Sequence, residues 1–180
     1  MNTLEKYSIL QQRQATTAEA LQFFDELDPM DTEFMLGRWQ GSSFCTGHRL
    51  DGLLEAIGWY GKEFISLDKV HPLLFADGGK IFKVDPNPIA FKLGFNLPIP
   101  KNPDFKPFYL QASKLLQTED TKARLRMMEY RGKTSAVMVY DYLPINDIFR
   151  QIDSNTVLGL MDYKEMNQPF FFILNRVSTI

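Results

Sequence analysis

Apolar residues recur at helical spacing in only a few segments of this chain and at strand-like spacing in most others, the pattern of a sheet-rich protein. Residues 1–15 are polar and Gln-rich and are expected to be a flexible, frayed or loosely helical terminus. Thr16 and Glu19 stand at capping-box spacing and predict a helix over Ala18–Leu27 with Leu21, Phe24 and Leu27 inward. Asp28-Pro29 ends it, because the residue before proline avoids helical dihedrals. A strand is predicted over Gly37–Phe44, followed by a helix over His48–Ile57 with Leu50, Leu53, Leu54 and Ile57 on one side, stopped by Gly58. Gly61–Leu67 and Val70–Phe75 read as strands, the second interrupted at His71-Pro72, and Gly78-Gly79 makes a tight hairpin into Lys80–Val84.

Six of the ten prolines fall in residues 85–107, interleaved with Ile89, Phe91, Leu93, Phe95, Leu97 and Phe105. Proline excludes a central strand and the apolar content argues against a free linker, so a packed excursion across a rim is expected, a place where a lid is readily built. Tyr109–Thr118, Ala123–Tyr130 and Ser135–Tyr142 read as three strands joined by turns at 118–121 and at Arg131-Gly132-Lys133. Pro144–Arg150 reads as two helical turns with proline at the first position, and Thr156–Tyr163 and Phe170–Arg176 close the chain as strands. About eight antiparallel strands with a few short helices suit a closed barrel, which removes exposed edges and at this strand number holds one small ligand.

Within the first strand, Gly37, Trp39 and Gly41 point to one face. Two absent side chains beside an indole leave a notch that another segment can approach closely, as when a barrel is plugged at one end. The chain has 180 residues, enough for one domain, and its 15 phenylalanines suit either a core or an apolar cavity. A formal charge of −2 argues against nucleic acid, which is bound through neutralised phosphates. No apolar run approaches the ~20 residues of a membrane span, and the N-terminus lacks a signal-peptide core. The single cysteine, Cys45, cannot form an internal disulfide, so a cytoplasmic location is expected.

The Gly37-x-Trp39-x-Gly41 motif resembles the GXWXG domain family, and the second half is similar to its usual companion, the domain of unknown function DUF4334. Gly47-His48, Gly58-Trp59-Tyr60-Gly61-Lys62, Arg131-Gly132, Tyr140-Asp141, Pro144-Ile145-x-Asp147-x-Phe149-Arg150 and Gly159-Leu160-Met161-Asp162 carry the resemblance. It places the GXWXG part at about 30–85 and the DUF4334-like part at about 120–177, within a single barrel domain over 16–180. The motif also resembles the first-strand signature of lipocalin and fatty-acid-binding barrels, in which a basic residue of the last strand packs over the tryptophan. That resemblance implies Arg176 over Trp39 as a structural plug, a contact worth about 0.5–2 kcal/mol.

Several residues invite chemistry. Cys45 and His48 stand at zinc-ligand spacing, but only His71 remains besides carboxylates, too few for a site. The same pair read as nucleophile and base lacks an orienting group. His48 opens its predicted helix with Asp51 and Glu55 on the same side, where it either caps the helix or faces the cavity as a polar anchor or general base. Arg124 and Arg126 share one face of a strand with Tyr130; turned inward, Arg126 would grip a carboxylate or phosphate head group, while the alternation of Leu125 and Met127 favours an outer face. Trp59, Tyr60 and Tyr140 are candidates for a cavity wall. Asp147 and Arg150 lie one helical turn apart and read as a surface pair.

These readings converge on non-catalytic binding of a small hydrophobic molecule, fatty-acid-like, isoprenoid or pigment-like, with His48, Trp59, Tyr60, Arg126 and Tyr140 as its contacts and Gly37, Trp39, Gly41 and Arg176 as the structural signature. No cofactor or metal is expected, and the chain is read as a monomer or a dimer. The alternatives are an isomerase or lyase using His48, a haem-binding barrel, and an interaction module with a filled interior.

Overall fold

The computed structural model describes residues 3–89 and 100–177. Phe91, Leu93, Phe95 and Leu97 of the proline-rich stretch lie outside the described residues, and with them most of the expected excursion. Strand β1 (Gly37–Ser43) pairs on one edge with β2 (Trp59–Ser66) and on the other with β9 (Phe170–Arg176). From β9 the sheet continues antiparallel through β8 (Thr156–Tyr163), β7 (Ile145–Asp153), β6 (Lys133–Tyr140) and β5 (Ala123–Tyr130). Strand β3 (Lys69–Asp77) bridges β5 at Val70 and Ala123 and pairs along its length with β2, closing an eight-stranded ring. A ninth strand, β4 (Lys80–Lys83), extends the sheet beside the second half of β3. The protein is a closed antiparallel barrel with helical cover, as the strand pattern predicts.

Local chemistry sets several boundaries. Thr16 and Glu19 form the capping box of α2 (Thr17–Glu26), each bonding the other's backbone N–H. Arg131 and Gly132 both take positive φ, +49° and +75°, the conformation that matches a two-residue hairpin to the twist of β5 and β6. Arg131 then reaches back to Asp25 of α2 with two hydrogen bonds, at 2.7 and 2.6 Å.

The N-terminal residues, expected as frayed or loosely helical, form helix α1 (Thr3–Gln12). Four elements differ from the sequence reading. The predicted His48–Ile57 helix shrinks to α3 (Leu53–Ile57), because Gly52 at φ +75° breaks the helical path. Strand β3 runs through His71-Pro72 without a break, and a register shift in its pairing with β2 between Gly61 and Glu63 absorbs the missing N–H. The segment read as a strand from Tyr109 is a helix, α4 (Lys106–Lys114), with Pro107 in its first turn and Leu110 buried against Gly58. Conversely, the predicted helix over Pro144–Arg150 is strand β7, covered on both faces.

That double cover accounts for the phenylalanines of β7 and β9. Phe170, Phe172 and Leu174 face the barrel interior, while Phe171 and Ile173 face outward. The outward set joins Val137, Ile148, Leu158 and Leu160 beneath Ala20, Phe23 and Phe24 of α2. A sheet packed on both faces reads as a continuous apolar run rather than an alternating one.

Candidate functional site

The interior is not filled at the end covered by α3 and α4. A cavity of about 240 Å³ opens there, walled by Leu53, Leu54 and Ile57 of α3, Leu116 after α4, and inward residues of β2, β3 and β6–β9. Trp59 forms one side. A Cβ added to Gly41 would lie 2.0 Å from its ring, so the indole occupies the space that the last glycine of the motif leaves empty. Phe172 meets that indole edge-on with ring centroids 5.9 Å apart. Gly61 serves a different approach: a Cβ there would lie 1.9 Å from the Trp39 carbonyl oxygen, so only glycine lets β2 close on β1.

One charged cluster stands among these apolar walls. Lys62 of β2 and Asp147 of β7 are 3% and 1% exposed and form an ion pair at 2.8 Å. The ammonium also donates to the Pro72 carbonyl at 3.1 Å and to the Tyr140 hydroxyl at 3.5 Å. The rings of Phe172, Trp59 and Tyr140 surround it at 5.2, 5.6 and 5.7 Å from their centroids. Its three N–H groups thus have three acceptors. Burial raises the Asp147 carboxyl from its ordinary value, and the neighbouring ammonium opposes the shift. Burial, reinforced by the charge of Asp147, holds the Tyr140 phenol well above its ordinary value and therefore protonated. Among the described residues, Asp147 Oδ1 and Trp59 Nε1 have no hydrogen-bond partner.

Trp59 and Tyr140 line the cavity, as their sequence positions suggest, and three other candidates do not. Tyr60 points away from the wall, one residue out of phase with Trp59, and is half-buried. Arg126 lies on the outer face, bonded to the Leu67 carbonyl and paired with Asp68, so it grips no head group inside the barrel. His48 is buried behind Phe170, with ring centroids 5.3 Å apart, and is not part of the wall. Its Nδ1 accepts the Leu50 N–H at 3.1 Å, so the imidazole caps its own turn. Burial lowers its pKa, with a smaller opposing pull from Asp51, and keeps the ring neutral. The second histidine, His71, does not line the cavity either, so haem would find no axial imidazole there.

Trp39 and Arg176 also stand outside the cavity wall. The guanidinium lies 4.3 Å from the Trp39 ring centroid and 4.9 Å from that of Phe34, and it donates to the Leu36 and Phe34 carbonyls. Trp39, fully buried, donates through Nε1 to the Met35 carbonyl at 2.8 Å.

Sequence reading missed Lys62 and Asp147. Once 145–149 is read as a strand, Asp147 falls between Ile145 and Phe149 on one apolar face, where a carboxylate requires a cationic partner. Arg150, read beside it as a surface partner, turns to the other face. There its guanidinium is fully buried 4.8 Å from the Phe24 ring centroid and donates to the Tyr130 carbonyl at 2.9 Å.

Comparison with known proteins places two family models on the chain: one described as GXWXG protein over residues 22–79, and one described as a domain of unknown function, DUF4334, over residues 121–176. The first supplies β1–β3 and the second β5–β9, and neither closes the ring alone. A protein from Thermomonospora curvata, known from its crystal structure, is 30% identical over 97% of this chain and 99% of that one, with a TM-score of 0.70. No curated protein matches. Among the described residues no helix is long and apolar enough to cross a membrane.

Proposed function

Since the chain belongs to the family that joins a GXWXG domain to DUF4334, whose description names no reaction, we propose its function from the barrel itself: it binds one small, mainly apolar molecule in the interior. The observation that carries this reading is a roughly 240 Å³ cavity whose walls are apolar except for a few polar groups, the arrangement typical of small-molecule sites. An engineered cavity of about 150 Å³ takes benzene, so this one suits a ligand of about ten non-hydrogen atoms. The ion pair and Tyr140 supply the orienting polar groups. An isomerase or lyase centred on His48 has less support, because that imidazole sits behind Phe170.

Native mass spectrometry of freshly purified protein, followed by organic extraction, tests the reading together with titration of a fluorescent apolar probe. The expected result is one-to-one binding that is lost when Ile57→Trp fills the cavity. A wild type that binds no apolar probe, or a filled variant that binds it equally well, overturns it.

A further inference from the structure

The polar groups in the cavity define what the ligand must offer. Lys62 Nζ already meets Asp147 Oδ2, the Pro72 carbonyl and the Tyr140 hydroxyl, so no ammonium N–H remains for an incoming acceptor. Asp85, near the mouth, is engaged by Lys122 at 3.2 Å. What remains unpaired on the wall, among the described residues, is one acceptor, Asp147 Oδ1, on a side chain 1% exposed, and one donor, the Trp59 indole N–H. A buried carboxylate oxygen left unpaired is costly, and only a hydrogen-bond donor relieves it. A carboxylate or phosphate ligand would bring a second negative charge to that oxygen. A ketone or ester can accept from the Trp59 N–H but brings no donor, so it leaves Asp147 Oδ1 unpaired.

We propose that the cavity selects a neutral apolar alcohol, whose hydroxyl donates to Asp147 Oδ1. This deepens the binding reading above and rests on it. A hydroxyl is the smallest neutral group that both gives a proton to the carboxylate and keeps an oxygen lone pair for a donor. The indole N–H of Trp59, on the same cavity wall and likewise without a partner among the described residues, is such a donor. The choice of an alcohol over a fatty acid follows from the acid–base balance of the site: Lys62, the one cation on its wall among the described residues, is already neutralised by Asp147.

The test is calorimetric titration of the full chain with 1-octanol, 2-octanone, octane and octanoate. The four share a hydrocarbon tail and differ in the polar group. A hydrogen bond to a charged group predicts that 1-octanol binds on the order of 10- to 100-fold tighter than 2-octanone, with octanoate weaker still. Because Asp147→Leu alone strands a buried ammonium, the companion variant is Lys62→Met with Asp147→Leu, which replaces the pair by apolar groups of similar size. There the preference is expected to vanish, with octane binding at least as well as 1-octanol. If 1-octanol has no advantage over 2-octanone, if octanoate binds tightest, or if the alcohol preference survives in the double variant, the inference fails while the cavity reading stands. If none of the four binds, both fail together.

Discussion

The last glycine of the motif leaves the space that the Trp59 ring occupies, and Gly41→Ala tests this directly. The new methyl would start 2.0 and 2.1 Å from two indole carbons. Restoring an ordinary carbon–carbon contact of about 3.5–4.0 Å requires the ring to retreat by roughly 1.5–2 Å. The indole has little room to do so, since Phe172 stands against it and Lys62 lies over its face. Overpacking of this kind costs about 1–3 kcal/mol, and the smaller unfolded-state entropy of alanine returns at most about 1 kcal/mol. We expect a net loss of roughly 1–2 kcal/mol in urea unfolding, read as a lower midpoint at unchanged slope. The ring's retreat also disturbs the cavity wall, so probe affinity should fall. In a Trp59→Leu background the clash has no partner, and Gly41→Ala should cost nothing or stabilise slightly. The double-mutant cycle should therefore show a coupling of about 2 kcal/mol. A coupling below about 0.5 kcal/mol would sink the assignment and return Gly41 to a purely backbone role.

Two further outcomes follow from the geometry. Arg176→Met removes a guanidinium stacked on Trp39 and Phe34 and bonded to two carbonyls, and it should cost about 2–4 kcal/mol in urea unfolding while leaving apolar-probe affinity unchanged, because neither residue lines the cavity; a loss of affinity with intact stability would make the pair a ligand site instead. Burial lowers the pKa of both His48 and His71 below 6.5, so the unfolded chain takes up these protons first as pH falls. Stability should hold above that value and decline below it, and His71→Gln should flatten the decline; a midpoint unchanged between pH 7.5 and about 5 would contradict it.

The barrel was legible because most strands announce themselves by punctuation. Gly78-Gly79 and Arg131-Gly132 mark the hairpins, and the motif strand, Gly37–Ser43, closely matches its expected Gly37–Phe44. The failure at Pro144–Arg150 has a plain physical origin. In β7, Ile145, Ile148 and Phe149 fall at helical spacing, yet Ile145 and Phe149 belong to the interior and Ile148 to the outer layer beneath α2. With both faces buried, the period of two that identifies a strand disappears. The same error hid the site, because Asp147 and Arg150 look like a helical surface pair until the strand separates them to opposite faces. The error at Tyr109–Thr118 was the reverse: α4 has only Leu110 buried, and a helix lying on a rim shows a weak apolar stripe. At Arg126 the alternation argument, with Leu125 fully buried beside it, points to the outer face where the residue lies, against its expected role as a ligand contact.

The wall formed by β6–β9 is held from outside as well as from within. Phe171, Ile173, Leu158 and Ile148 are gripped by α2, so this half of the barrel keeps its curvature whatever occupies the lumen. A vessel braced on its outer surface can tolerate a hollow. Changes at Leu54, Ile57 or Leu116 can then resize the chamber without loosening the staves.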